Sequence, residues 1–107
     1  MALKPAIFDI LLCLADGERH GWALTQEIQA RTGAAPDPGN LYRSLRTMLD
    51  SGLVEESSRR PAPDLDDERR RYYRITAEGR RAAIAEIARL ESVLRAAKSK
   101  RWAKQRG

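Results

Sequence analysis

The sequence predicts a mainly α-helical domain with one small β-hairpin and a long final helix. Three observations carry that expectation. Apolar residues recur at helical spacing in three separate stretches before residue 52. Two strand-like runs, 53–58 and 69–75, flank a stretch with two prolines and four acids. From Thr76 to about residue 100 the chain holds no proline, and its apolar residues alternate by four and three.

The first helix is expected over residues 5–15, where Ile7, Ile10, Leu11 and Leu14 form one apolar stripe. Asp16-Gly17 closes it as a turn dipeptide. His20 reads as a turn and cap residue for a second helix over 21–32, with Trp22, Ala23, Leu24 and Ile28 as its apolar set and Gly33 as its stop. The third helix has the clearest punctuation. Asp37 is an N-cap type, Pro38 suits the first helical position, and Gly52 can take the left-handed conformation that ends a helix. Leu41, Leu45, Met48 and Leu49 share one side of it, while Asn40, Arg43, Thr47 and Asp50 face the other, with Tyr42 and Arg46 at the edge.

The two strand-like runs form the hairpin. In the second, Arg71, Tyr73 and Ile75 share one face, and Tyr72 and Arg74 the other. At least one of the paired tyrosines is expected in the core rather than on a stacking platform for single strands. Thr76 then caps a last helix whose seam is Ala83, Ile87, Leu90, Leu94 and Ala97, widened by Ile84 and Val93. Two heptads are too few for an independent coiled coil but enough to pack on a twin or on the first helix. Three helices, a hairpin and a further helix make a winged helix-turn-helix plus a C-terminal dimerisation helix. The expected units are 1–76 for the winged domain and 77–107 for the helix and a basic tail.

With 107 residues the core is small, so an exposed apolar stripe favours pairing of two copies. One cysteine and one histidine leave no basis for an intrachain disulfide, a cysteine-rich metal site or a histidine cluster. No cofactor or metal is expected, and no nucleophile, base and acid can be assembled, so the chain does not read as an enzyme. Cys13 reads as a small buried side chain. No apolar run approaches the roughly 20 residues of a membrane span. Asp9 interrupts the early apolar run and no small-residue cleavage site follows, so a helix of the mature protein is expected there; the single cysteine fits a reducing, cytoplasmic compartment. The net charge of +5 is carried by Lys98, Lys100, Arg101, Lys104 and Arg106, because the acids and bases of residues 1–97 balance. Any nucleic-acid affinity of the body must then come from the arrangement of its charges.

The outward residues of the third helix are the types that bond phosphates and base edges. Asn40, Arg43, Ser44, Arg46 and Thr47 are therefore the expected DNA-facing set. Arg43 or Arg46 could take a guanine by two bonds and Asn40 an adenine, each pair contributing about 1–3 kcal/mol of discrimination. Arg69, Arg70 and Arg71, with Arg59 and Arg60, are expected to reach backbone or minor groove. Asp64, Asp66, Asp67 and Glu68 are expected to hold some of those arginines while DNA is absent.

The stretches ILLCLADGERHGWALTQEI, PGNLYRSLRTMLDSGLVEE and DDERRRYYRITAEGRR together resemble the PadR family of bacterial transcriptional regulators, over roughly residues 7–81. Trp22 stands where that family usually has Tyr, and Asn40 where Thr or Ser is common; the second departure bears on base preference. The resemblance implies a short-form member with a single C-terminal helix, and a phosphate bond from the Tyr42 hydroxyl. It also implies a homodimeric repressor on double-stranded DNA, blocking a promoter through a palindromic operator. In some short-form relatives, aromatic residues of the last helix accept flat compounds between subunits, which makes Trp102 the candidate contact for a small aromatic effector; its neighbours Lys100, Arg101 and Lys104 favour instead a basic tail that reaches phosphate or frays. The rival expectation is a winged-helix adaptor for protein partners without specific DNA binding, suggested by the charge balance of residues 1–97 and the acidic wing.

Overall fold

Side-chain caps decide where three of the four helices begin. The computed structural model describes residues 2–57 and 71–102. Helix α1 spans Pro5–Leu14 and opens on its proline, with Lys4 at the N-cap position making no side-chain cap bond. Helix α2, Gly21–Thr32, is capped by His20, whose Nδ1 accepts from the Ala23 N–H at 3.0 Å. Helix α3, Pro38–Asp50, is capped by Asp37, whose Oδ2 accepts from the Asn40 N–H at 3.0 Å. Helix α4, Ala77–Lys98, is capped by Thr76, whose Oγ1 accepts from the Gly79 N–H at 2.9 Å. Each cap satisfies a backbone donor that the helix itself cannot. Gly52 (φ 80°) lets α3 close as expected: its N–H reaches the Leu49 carbonyl and that of Leu53 reaches Met48.

Strands β2 (Val54–Glu56) and β3 (Tyr72–Ile75) pair antiparallel, with Val54 opposite Ile75 and Glu56 opposite Tyr73. A third strand, β1 (Arg19–His20), lies on the other edge of β3, so the sheet order is β1-β3-β2. The sequence reading has no strand at 19–20. Two residues show no alternation, and only the neighbouring β3 backbone makes them a strand.

Ile10, Leu11, Leu14, Leu24, Leu45 and Met48 are fully buried, joined by Ile28, Leu41, Val54 and Tyr73. Helix α1 is the centre of this core and packs against α2, α3, β3 and α4. Tyr73 is thus the core tyrosine, and Cys13 is buried with its thiol pKa pushed up, first by that burial and then by the nearby Glu27 carboxylate. Trp22 departs from expectation: it is 55% exposed. Gly21, Leu24 and Ile28 form the buried side of α2, and residue 22 lies off that side by more than a quarter turn.

Helix α4 is locked to the body at its start. The Thr76 hydroxyl donates to the carbonyls of Gly52 (2.6 Å) and Leu53 (3.0 Å). A Cβ on Gly79 would overlap the Leu53 carbonyl oxygen, so the helix meets the chain just before β2 backbone to backbone there. Ala83 packs on the core, and the Glu86 carboxylate, only 4% exposed, accepts from the Leu3 N–H and from Arg89. That arginine's hydrogen bond holds the Glu86 pKa below its ordinary value, against burial. Past Glu86 the helix is exposed on nearly every side.

Candidate nucleic-acid interface

Helix α3 buries Leu41, Leu45 and Met48 and presents Asn40, Arg43, Arg46 and Thr47 to solvent, with Tyr42 and Ser44 half-buried at the margins. The split follows from a 100° step per residue: the buried three lie within one narrow sector, and Arg43 and Asp50 point away from it. Arg43 Nη1 donates to Asn40 Oδ1 across one turn. All six α3 residues expected at DNA therefore lie on the outer surface or its margins.

Two other helices frame this surface. On one side, Lys4, Ala6 and Ile7 at the start of α1 join Asn40, Arg43, Ser44 and Thr47 around a groove of about 290 Å³. Lys4 was absent from the expected set. It lies far away in sequence, and only the packing of α1 on α3 brings it to the groove. On the other side the Tyr42 ring lies against Gly21, where a Cβ would overlap the phenol. The His-Gly step of α2 and the Leu-Tyr step of α3 are thus two halves of one contact. It holds the Tyr42 hydroxyl at the first turn of α2, where backbone N–H groups and the helix dipole favour anions.

Of the expected wing arginines, Arg71 is described: its Nη1 lies 3.4 Å from Glu56 Oε2, and its Nε is buried with no hydrogen-bond partner among the described residues. The restraining acid here belongs to β2. Arg69, Arg70, Arg59 and Arg60, and the acids Asp64, Asp66, Asp67 and Glu68, lie outside the described residues. Arg74 bridges the sheet, bonding Glu55 at 2.7 Å and lying 3.6 Å from Glu18. Its pKa is raised chiefly by the Glu55 hydrogen bond.

A second exposed surface runs along α4. Ile84, Ile87, Leu90, Val93 and Leu94 are 39–66% exposed, Ala97 is half-buried, and Ala83 is committed to the chain's own core. Trp102 folds back on the end of α4, its Nε1 donating to the Ala97 carbonyl at 2.8 Å, and stays exposed. Among the described residues no three His, Cys, Asp or Glu side chains are grouped to hold a metal ion. No helix among the described residues is long and apolar enough to cross a membrane.

The profile described as the transcriptional regulator PadR-like family matches residues 10–85. RosR of H. salinarum is 30% identical, with a TM-score of 0.68, and the match covers 84% of this chain and 76% of that one. A PadR family transcription regulator from Clostridium difficile R20291 superposes with a TM-score of 0.75 at 17% identity, covering 87% of this chain and 94% of the other. Bacillus subtilis PadR, solved in complex with operator DNA, superposes with a TM-score of 0.71 at 16% identity, covering 97% of this chain and 53% of that one. The last two likenesses speak for the fold alone. Curated proteins give no match.

Proposed function

The chain belongs to the PadR-like family of transcriptional regulators, and from that premise we propose that it is a sequence-specific DNA-binding repressor acting as a homodimer on a palindromic operator. The observation that carries this reading is α3, anchored by Leu41, Leu45 and Met48 while Asn40, Arg43, Arg46 and Thr47 stand exposed on the far side. In the major groove, Arg43 and Arg46 offer planar donors to guanine, and Ser44 and Thr47 offer hydroxyls to either strand. Tyr42 and Lys4, on opposite flanks, are suited to the phosphates bordering the groove. Arg69, Arg70 and Arg71 of the wing extend the contact to the backbone, Arg71 exchanging Glu56 for phosphate.

The working division is a DNA-reading unit, 1–76, and a pairing unit, 77–107. Ile87, Leu90 and Leu94 of α4, with Ile84 and Val93 beside them, form the apolar face that a second copy would cover. Pairing through this face would set two α3 helices about 34–36 Å apart, one turn of duplex. Such a dimer would repress by occluding a promoter. A flat aromatic effector would meet the exposed Trp102 beside this face and act by changing that spacing.

Binding to DNA upstream of the chain's own gene tests the proposal, by fluorescence anisotropy across a salt series with a scrambled duplex as control. The expected result is a preference of about a thousandfold, erased by Arg43→Ala and Arg46→Ala. The charge balance of residues 1–97 favours a second reading, a protein-interaction adaptor. Equal weak binding to both duplexes, unchanged by those substitutions and lost on removing residues 98–107, would establish that alternative.

A further inference from the structure

Arg43 does not extend freely from α3. Its Nη1 donates to Asn40 Oδ1, three residues earlier on the same face. The guanidinium leans back over the first turn, where a Cβ on Gly39 would lie 3.8 Å from Arg43 Nη2 and 3.2 Å from Asp37 Oδ2. Asn40 is itself held, because its backbone N–H is the donor that Asp37 caps. Cap, asparagine and arginine thus form one chain of hydrogen bonds running along the outward face.

We propose that Asn40 is a positioning residue for Arg43, so that the pair reads a single G·C base pair and Asn40 does not read an adenine of its own. The inference rests on the DNA-binding reading above and specifies how its central residues act. A two-bond contact to adenine needs the asparagine Oδ1 to accept from the adenine amino group while Nδ2 donates to N7. Here Oδ1 gives one of its two lone pairs to a charge-assisted bond from Arg43, which turns the amide toward that side chain and away from the pose a two-bond adenine contact needs. Arginine keeps donors to spare while held in this way. One Nη1 hydrogen goes to Asn40, which leaves the other, together with Nη2, as an end-on pair for guanine O6 and N7. Arginine loses much rotamer freedom when it binds, and a side chain already held in place loses less. The amide thereby strengthens a contact it does not itself make.

The test starts from the tightest-binding duplex selected from a random pool, followed by every single base-pair substitution of it. Wild type, Asn40→Ala, Asn40→Asp, Arg43→Ala and the Asn40→Ala/Arg43→Ala double variant are measured against the whole set. Asn40 and Arg43 are exposed, and thermal melts check that all variants stay folded. Arg43→Ala is expected to flatten the preference at one G·C pair by about tenfold or more. Asn40→Ala should weaken the preference at that same pair, and the double variant should lose no more than Arg43→Ala alone. Asn40→Asp keeps the acceptor oxygen, so it should keep the preference while lowering affinity for every duplex alike. Flattening at a different base pair, additive with Arg43→Ala, would overturn the proposal, as would an unchanged pattern for Asn40→Ala. If wild type selects no sequence at all, the DNA-reading proposal fails, and this one with it.

Discussion

The three-helix body and the outer half of α4 are written in the same apolar alphabet, yet they end in opposite environments. In the body, Leu24 and Met48 are wholly buried and Leu41 and Leu45 nearly so. On α4, Leu90 is 39% exposed, Ile87 42% and Leu94 54%, on equally regular helical spacing. Periodicity states which side of a helix is apolar. It does not state whether that side is covered by the same chain or by another. The contrast also separates two kinds of surface: the body closes on itself, whereas the single chain leaves the α4 face uncovered.

The sharpest way to break the comparison is to delete the same atoms in both regions. Leu24→Ala should cost about 2–5 kcal/mol in chemical denaturation, because it leaves a cavity in a closed core. Leu90→Ala should change the unfolding of dilute protein far less. Equal losses would mean that the outer half of α4 is already packed in the single chain.

Gly79 marks the boundary between the regions. Alanine normally favours a helix interior over glycine by about 0.8–1.0 kcal/mol, but a Cβ here meets the Leu53 carbonyl oxygen. Gly79→Ala should therefore destabilise by about 1–3 kcal/mol, the usual cost of overpacking. A rise in melting temperature would show that Gly79 does not press on the Leu53 carbonyl. Beyond the boundary, Leu90→Lys and Leu94→Glu should leave the helical signal intact while halving the apparent mass in sedimentation at micromolar concentration. A wild-type mass of one chain would end the proposed pairing, and a dimer mass unchanged by both substitutions would place the pairing surface elsewhere.

Glu86 allows a finer test. Its carboxylate is held below the ordinary value by Arg89 and by the Leu3 N–H. A depressed carboxylate contributes stability that is fully present above its unfolded pKa, about 4.3, and is lost as pH falls through the lower folded value. The melting temperature of wild type should exceed that of Glu86→Gln at neutral pH, and the gap should close in that acid window. A gap independent of pH would assign the difference to packing. The smallest effect belongs to Trp22→Ala, within about 0.5 kcal/mol, because an exposed side chain has little packing to lose.

Much of α3 was legible in the sequence. Asp37, Pro38 and Gly52 bound α3 as expected, and its buried side is the predicted one. Less was legible where residues distant in sequence meet. Nothing near Lys4 points to α3, and nothing near Arg19 points to a strand. Trp22 misled because an apolar residue beside Leu24 looks like core until the rotation of α2 against α1 is known. Gly21 opens the second helix as expected, but nothing in the sequence shows that it also makes room for the ring of Tyr42.

The sequence by itself determined the four helices, the side-chain caps of the last three, the order helix-helix-helix-hairpin-helix, and the polar side of α3. Those features rest on hydrogen bonds and side-chain periods that act within four residues along the chain. Only the tertiary structure decided that β1 joins the sheet, that Lys4 borders the groove beside Asn40, that Tyr42 is braced on Gly21, and that Ala83 is spent on the chain's own core while Ile87 and Leu90 are left uncovered. Each depends on which surfaces meet across the fold, and that is set by how all the helices pack at once rather than by any one segment.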